Sequence, residues 1–472
     1  MSGLFLINIV MSTRLTSRTT GLIFSDVVII YAGLLFALYL RLGIRDVTFQ
    51  LFESNGLLKI LLATLVCLTA LYFYDLYDFT VINNRRELFT RLIQAVGSAW
   101  VLLVLIFYWV PSLEIGRGAS IYSIIITLVV LLAVRTLIHY LMEHPEIGEK
   151  ILIVGEGQKA IDTAEAVLKR RGEGYRMVGF ISENFENVQR SLPETQNLGT
   201  IDNLENIVQE HKIDRVVIAV RERRGAFPTE ALLRLSLANT VSIEESTSFF
   251  ERVTGQVHLD MLRPSWLIFN GRARDTRLKM DLREIGHRCL GVIGLIVSFP
   301  IALLTVILIK LDSKGEVFYR QERVGKNGHI FEVLKFRSMK TDAEANGTPV
   351  WATSNDDRMT RVGRVIRKIR VDEIPQFWNI IKGEMSFIGP RPERPHFVSQ
   401  LAKEIPFYEH RHLVAPGLTG WAQVKYPYGA SVEDARQKLQ YDLYYIKNQS
   451  LLLDIIIVFA TIKTVLFGRG AR

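Results

Sequence analysis

The sequence predicts a membrane α-helical bundle plus α/β structure: four transmembrane helices, a parallel-sheet domain, and a mostly helical, membrane-associated domain with a re-entrant helix. Three observations carry this reading. Four long apolar runs follow one another in the first third of the chain. Short β-type runs alternate with helical ones in the middle. A further apolar run near residue 300 is fenced by basic residues on both sides.

The 472 residues are 49% hydrophobic and only 22% charged, and the mean hydropathy is positive, which points away from an ordinary soluble chain. The formal net charge of +9 suits anionic lipid, phosphorylated substrates or nucleic acid. Because the basic residues interleave with apolar segments and no recognition module is visible, no nucleic acid is expected. Cys67 and Cys289 both lie in apolar runs without CxxC spacing, which argues against a zinc site or a disulfide framework.

The first apolar patch, Leu4–Met11, precedes Arg14 and Arg18, the wrong order for a cleaved secretory signal. The four runs that follow, Leu22–Leu42, Leu57–Tyr77, Leu88–Val110 and Ser120–Met142, are each about the twenty residues a bilayer-crossing helix needs. Tyr72, Tyr74, Tyr77, Tyr108 and Trp109 gather at their edges, as interfacial belts do. Arg14, Arg18, Arg85, Arg86, Arg91, Arg135 and Lys150 lie on one side of the bundle, so the positive-inside bias puts both of its ends in the cytoplasm. The expected location is thus a membrane, with the chain after about residue 145 on its cytoplasmic side.

The composition changes at Lys150. Ile151–Val154, Tyr175–Ser182, Arg215–Val220 and Val241–Glu245 read as strands between helical runs, a pattern that predicts a small doubly wound parallel sheet. The expected boundaries are 1–145 for the helical bundle, 146–245 for the sheet domain, 246–280 for a linker containing Pro264, and 281–472 for the last domain.

In the last domain, Cys289–Leu311 is long enough to span, yet Arg272, Arg274, Arg277, Lys279, Arg283 and Arg288 precede it and Lys310, Lys314, Arg320, Arg323 and Lys326 follow it. A straight crossing would carry one basic cluster outside. Pro300 breaks helical hydrogen bonding, and Ser298 can satisfy a freed carbonyl. A re-entrant helix over 284–311, broken at Ser298–Pro300, meets both facts; a straight span is the alternative. The final run Leu451–Phe467 carries Asp454 and Lys463 and is expected to lie in the membrane interface.

The chemistry concentrates in Thr360–Glu373. Val362, Val365, Ile366 and Ile369 fall at helical spacing and are expected to form one buried face, with Arg361, Arg364, Arg367, Lys368 and Arg370 around them. Asp372 and Glu373 continue the buried stripe at the closing turn of this basic helix. Carboxylates oppose the helix dipole there and are easier to explain if they meet a metal or substrate; a surface ion-pair network is the bland alternative. Arg320, Arg323, Lys335, Arg337 and Arg391 add basic clusters nearby in sequence. Arginine forks suit phosphate oxygens, and two acids with several arginines suggest phosphoryl transfer with a divalent cation.

Five ordered segments then carry a resemblance: YRQERVG (319–325), KFRSM (335–339), IRVDEIPQFWNIIKGEMSFIGPRPE (369–393), APGLTGWAQV (415–424) and YDLYYIKNQSLLLDI (441–455). Together they resemble the bacterial sugar transferase family, the polyprenyl-phosphate hexose-1-phosphate transferases, over about residues 280–472. The helices and sheet domain before them resemble the long members that initiate exopolysaccharide or O-antigen synthesis.

The resemblance implies transfer of a sugar-1-phosphate from a UDP-sugar to undecaprenyl phosphate. Asp372 would attack the sugar-bearing phosphorus and expel UMP, and the phosphosugar-aspartate would pass its group to the carrier. Glu373 would help hold Mg²⁺. Arg320, Arg323, Lys335, Arg337, Arg370 and Arg391 are the candidate phosphate ligands. The family breaks its re-entrant helix at an adjacent Ser-Pro pair; here Phe299 intervenes, which leaves Pro300 as the expected break. A homodimer through the bundle or the sheet domain, and downstream glycosyltransferases, are the expected partners.

Three weaker signals remain. Gly155-Glu156-Gly157-Gln158-Lys159-Ala160 fits the G-x-G-x-x-A fingerprint after a strand, the mark of a Rossmann-like domain. No tyrosine has a lysine four residues on, so the acid/base pair of a sugar-nucleotide dehydratase is missing, and a structural or ligand-sensing role is expected. Two alternatives stay open on this loop: a nucleotide-sugar oxidoreductase or dehydratase, and a nucleotide-sensing membrane assembly protein. His410 and His412 flank Arg411 and suit a headgroup-facing surface better than a metal site. Asp356 and Asp357 suit a turn and cap, with Asp357 and Arg358 as residues that could approach the substrate.

Overall fold

The computed structural model describes residues 17–53, 55–78, 81, 85–143, 148–170, 174–183, 185–220, 229–238, 241–262, 277–340, 358–426, 429 and 431–466. Leu4–Met11, Arg14, Pro264, Arg272, Arg274, Asp356 and Asp357 fall outside the described residues. The chain divides into two compact units, Met1–Phe249 and Phe250–Arg472.

The first unit opens with four long helices: α1 (Ser17–Glu53), α2 (Gly56–Phe73), α3 (Arg85–Trp109) and α4 (Arg117–Glu143). Within them Thr19–Gly43, Gly56–Phe73, Arg86–Trp109 and Gly118–Tyr140 are long and apolar enough to cross a membrane. Gly43, with φ 78°, kinks α1 where its apolar stretch ends. Ile30, Leu34 and Leu38 of α1 pack with Ile60, Ala63 and Cys67 of α2, Leu92, Ala95 and Ala99 of α3, and Leu131 of α4. Phe24, Val101, Val104 and Ile121 face outward instead. Apolar residues on both faces are what a helix needs when its solvent is lipid. A buried ion pair interrupts the bundle core. Arg135 of α4 pairs with Asp26 of α1 at 2.6 Å, both essentially unexposed, with the guanidinium over the Tyr77 ring.

Next come β1 (Glu149–Val154), α5 (Gln158–Leu168), β2 (Tyr175–Ile181), α6 (Glu186–Ser191), α7 (Leu204–His211), β3 (Arg215–Ile218), α8 (Thr229–Leu237), β4 (Ser242–Glu245) and α9 (Ser246–Thr254). The four strands form one sheet in the order β2-β1-β3-β4, every pairing parallel. Ile151–Val154 is buried throughout, which is why it is an unbroken apolar run. A Cβ on Gly155 would lie 2.7 Å from the Ala219 carbonyl carbon, and its φ is +134°. Close packing and backbone geometry therefore account for this glycine.

The second unit begins within α9. Val257 and Leu259 sit in its core, so part of the segment expected as a linker is packed structure. Then follow α10 (Arg277–Asp312), β5 (Phe318–Val324), β6 (Ile330–Phe336), α11 (Arg361–Lys368), α12 (Gln376–Lys382), β7 (Ser386–Ile388), α13 (Pro395–Glu404), β8 (Gly417–Thr419), α14 (Trp421–Lys425), α15 (Val432–Lys447) and α16 (Leu451–Leu466). β5 and β6 form an antiparallel hairpin, and β7 and β8 a parallel pair. The core joins Phe397 and Leu401 of α13, Trp421 of α14, Leu439 and Leu443 of α15, and Leu453 and Ile457 of α16.

Two expectations are corrected here. Helical structure in α10 continues through Pro300, so the break expected at Ser298–Pro300 is not a gap in the helix. Pro300 has no N–H for the carbonyl four residues back, but Ser298 Oγ donates to Gly294 O at 2.6 Å and Leu295 O at 3.4 Å, not to that freed group. In α11, Ile366 is buried, whereas Val365 and Ile369 are 59% and 53% exposed. Gly363 lies against the Ser338 backbone, where a Cβ would come within 2.0 Å of the carbonyl oxygen. The buried arc is thus centred on Gly363 and Ile366, and Val365 turns outward with Arg361, Arg364 and Lys368.

Candidate active site

Asp372 and Glu373 do not close the basic helix. Thr360 caps the start of α11, its hydroxyl accepting from Gly363 N at 2.8 Å, and the helix ends at Lys368. Arg370 then adopts φ 60°, a left-handed conformation that turns the chain before a single 3₁₀ turn, Val371–Glu373. The acids therefore sit just ahead of the N-terminus of α12, where negative charge is tolerated rather than opposed.

α12 is fastened to the hairpin by Asn379. Its Oδ1 accepts from Leu334 N at 3.0 Å, and its Nδ2 donates to Glu332 O and Glu384 Oε2, both at 2.7 Å. This clasp holds the acids beside Lys335 on β6.

Glu373 is the electrostatic centre. Its Oε1 lies 2.9 Å from Arg391 Nη2, 3.2 Å from Arg370 Nη1 and 3.9 Å from Lys335 Nζ. Burial alone would raise its pKa, but Arg391, Lys335 and Arg370 outweigh it and hold the carboxyl down near 2. Asp372 goes the other way. Burial first, and the neighbouring Glu373 charge second, push it up to about 6. Asp372 is 7% exposed, and its Oδ1 is buried without a hydrogen-bond partner among the described residues. Burial also lowers Lys335 to about 8, against the pull of Glu373. One acid is thus firmly ionised and clamped, while the other is poised and carries an uncommitted oxygen.

The remaining sequence candidates divide. Arg323 joins the layer behind Arg391: it donates to Pro392 O at 2.9 Å and lies 3.5 Å from Glu393. Arg320 does not reach the dyad. Lys335 pairs with Tyr319 and Phe331 with Arg323 across the hairpin, so strand alternation puts Arg320 on the opposite face, where it meets Glu332 at 3.6 Å. Arg337 is also held elsewhere. It donates to Ser313 O and Ser313 Oγ at 2.9 Å and to Lys314 O at 3.0 Å, covering carbonyls just beyond the end of α10. Ser298 and Pro300 lie within α10. Arg358 precedes α11, and its carbonyl accepts from Lys340 N.

Arg411, between the two histidines expected at a headgroup-facing surface, is 7% exposed. It pairs with Asp442 at 2.9 Å and donates to Tyr408 Oη at 2.7 Å and to the Arg391 carbonyl at 2.9 Å. Burial and the Arg411 charge lower His412 to about 4. Sequence reasoning missed Asn379, Arg411 and Asp442 as parts of this site. Asn379 and Asp442 stood inside two of the ordered motifs, flanked by apolar and aromatic residues, whereas Arg411, among Glu409, His410 and His412, offered no such signal.

No group of three or more His, Cys, Asp and Glu side chains forms a metal cage among the described residues. The donor set nonetheless fits a hard divalent cation of the Mg²⁺ type, which takes one or two carboxylates and completes its shell with water and substrate phosphate. Glu373, held ionised by its cationic neighbours, would supply such a carboxylate and leave Asp372 Oδ1 uncommitted.

Comparison with known proteins agrees with the motif reading. Residues 279–468 match the bacterial sugar transferase family, and residues 73–227 match a CoA-binding domain. The chain is 44% identical over 262 residues to a UDP-N-acetylgalactosamine-undecaprenyl-phosphate N-acetylgalactosaminephosphotransferase of Aeromonas hydrophila, covering 55% of this chain and 61% of that protein. It is 32% identical over 342 residues to an undecaprenyl-phosphate glucose phosphotransferase of Komagataeibacter xylinus, covering 69% and 60%. A UDP-glucose:undecaprenyl-phosphate glucose-1-phosphate transferase of Xanthomonas campestris pv. campestris is 31% identical over 365 residues, 73% of each chain. The match thus spans about three fifths of the first two relatives and nearly three quarters of the third. By its ordered motifs, and by this extent of similarity, the chain belongs to the bacterial sugar transferase family.

Proposed function

We propose that this protein transfers a sugar-1-phosphate from a UDP-sugar to undecaprenyl phosphate, releasing UMP, as the first step of exopolysaccharide, O-antigen or capsule assembly. The observation that carries the proposal is Asp372: a buried carboxylate with one uncommitted oxygen, beside an ionised acid held by three cations.

Asp372 Oδ1 attacks the sugar-bearing phosphorus, the bond to the UMP oxygen breaks, and the phosphosugar is left on the carboxylate. A phosphate oxygen of the lipid carrier then attacks the same phosphorus and frees Asp372. Arg391, Lys335 and Arg370 offset the negative charge around the reacting phosphates, and Arg323 steadies the segment that presents Arg391. Mg²⁺, held through Glu373, supplies neutralisation of phosphate charge when bound.

The membrane arrangement follows from the same substrates, since the carrier stays in the bilayer and the nucleotide sugar in water. In this reading α10 is re-entrant and the second unit faces the cytoplasm. Support comes from both ends of α10 meeting the same globular unit. Arg283 donates to Tyr445 Oη at 2.6 Å and pairs with Asp454 at 2.8 Å. At the far end Asp312 accepts from Val362 N, and Ile309 packs with Phe336 and Ile366. A straight crossing would put those ends on opposite sides. The outward stripe Leu451, Ile455, Phe459, Ile462 and Val465 of α16 suits the interface. Homodimer formation and hand-over to downstream glycosyltransferases complete the proposal.

The test is UMP release by detergent-solubilised protein with undecaprenyl phosphate and Mg²⁺. The donor panel is led by UDP-N-acetylgalactosamine and UDP-glucose. Release with one donor, abolished in Asp372→Asn and by chelation of divalent cations, is expected. No release from any donor, or an Asp372→Asn variant equal to wild type, overturns the assignment.

A further inference from the structure

The carbonyl of Arg391 is gripped from behind by a buried ion pair, while its guanidinium faces Glu373 in front. Arg411 has three partners: Asp442 at 2.9 Å, Tyr408 Oη at 2.7 Å and Arg391 O at 2.9 Å. Asp442 is 1% exposed and Arg411 7%. Taking two charges out of water offsets most of their attraction, so a buried pair is a poor source of stability in itself. What it fixes is geometry. Nη1 of the planar guanidinium donates to Tyr408 Oη, while Nη2 lies 2.9 Å from Asp442 Oδ2 and donates to the Arg391 carbonyl, so the buried acid and the Arg391 backbone share one end of the fork.

A second contact from the same helix points the same way. Tyr445 lies one turn after Asp442 on α15, and its hydroxyl is 3.3 Å from Ile388 O. The segment Ile388–Arg391 is therefore backed by α15 directly through Tyr445 and indirectly through Asp442 and Arg411. At its far end Arg391 Nη2 reaches Glu373 at 2.9 Å.

We infer that Asp442, acting through Arg411, is the positioning residue that aims Arg391 at Glu373 and the donor phosphates. The inference rests on the transferase reading for its kinetic consequence, though not for its structural one. Among the described residues, Asp442 and Arg411 make no hydrogen bond or ion pair with Asp372 or Glu373. Their effect runs through the Arg391 backbone.

The experiment is a double-mutant cycle on the full-length protein in detergent, paired with hydrogen exchange. Asp442→Asn is expected to lower kcat/KM for the UDP-sugar by about 10–100-fold, as loss of an outer supporting contact commonly does. In an Arg391→Gln background the same change is expected to cost less than about twofold, because the group it aims has gone. Arg411→Lys, which keeps the charge but loses the fork, is expected to match Asp442→Asn, and it decides the matter if Asp442→Asn fails to fold. Exchange in the peptide covering 386–394 is expected to rise in either variant while α13 and α16 stay protected. Additive effects in the cycle, or unchanged exchange over 386–394, overturn the inference. If wild type releases no UMP from any donor, the transferase reading fails, and the exchange result alone still decides whether Asp442 positions Arg391.

Discussion

Asn379 clasps Leu334: the side-chain amide oxygen accepts the Leu334 N–H at 3.0 Å, tying the helix after the acidic dyad to the strand that carries Lys335. With the bond to Glu332 O at 2.7 Å, this is a two-point attachment, made by a residue 2% exposed. Asn379→Ala strands a backbone donor and acceptor, at about 1–3 kcal/mol for such groups. The expected outcome is a melting temperature several degrees lower and loss of UMP release at temperatures where the fold survives. Thermal unfolding and activity on one preparation check both.

Asp372→Asn is expected to inactivate and stabilise together. The carboxyl is raised from its ordinary 3.8 to about 6 in the folded protein, so between about pH 4 and 6 the folded state binds more protons than the unfolded one. Its contribution to stability therefore falls as pH rises through that window. Asn removes the cost, and stability at pH 7 is expected to rise by on the order of 1–3 kcal/mol. Denaturation at pH 4.5 and pH 7, for both proteins, should show a clearly larger gain at the higher pH.

The kcat/KM profile is expected to be bell-shaped. It climbs as Asp372 ionises near pH 6 and declines as Lys335 loses its proton near pH 8, since this ratio reports the groups of the free enzyme. Lys335→Arg keeps the charge at any working pH and is expected to remove the alkaline limb while leaving the acid limb in place.

Gly155→Ala separates the sheet from the chemistry. The added Cβ would meet the Ala219 carbonyl at 2.7 and 2.8 Å, with the backbone at φ +134°, a combination no L-residue accepts without strain. The expected result is earlier melting of the first unit with UMP release per folded molecule unchanged. Equal losses in both would tie the Gly155 loop to the reaction.

The four apolar helices and the parallel strands were legible because their signals are local: run length for a bilayer, a buried apolar run for a covered strand. The dyad was legible through ordered motifs. Which arginine does what was not. Arg337 covers carbonyls past the end of α10, and Arg320 is turned away by strand alternation; both depend on where distant backbone falls. The apolar spacing of α11 was visible, but Gly363 against Ser338 decided which side is inside, so Val365 and Ile369 ended outside. Arg411 and Asp442 were hidden for the opposite reason. Charged residues read as surface until a partner 31 positions away is known to be buried with them.

The pair between Asp26 and Arg135 joins residues 109 positions apart. At about 5–20 residues per second, the ribosome needs roughly 5–20 seconds to deliver the second after the first. During that time the opening helix carries a carboxylate whose placement in hydrocarbon costs about 3 kcal/mol without a counter-charge. The docking of α1 against α4 through this pair therefore waits on the synthesis of α4.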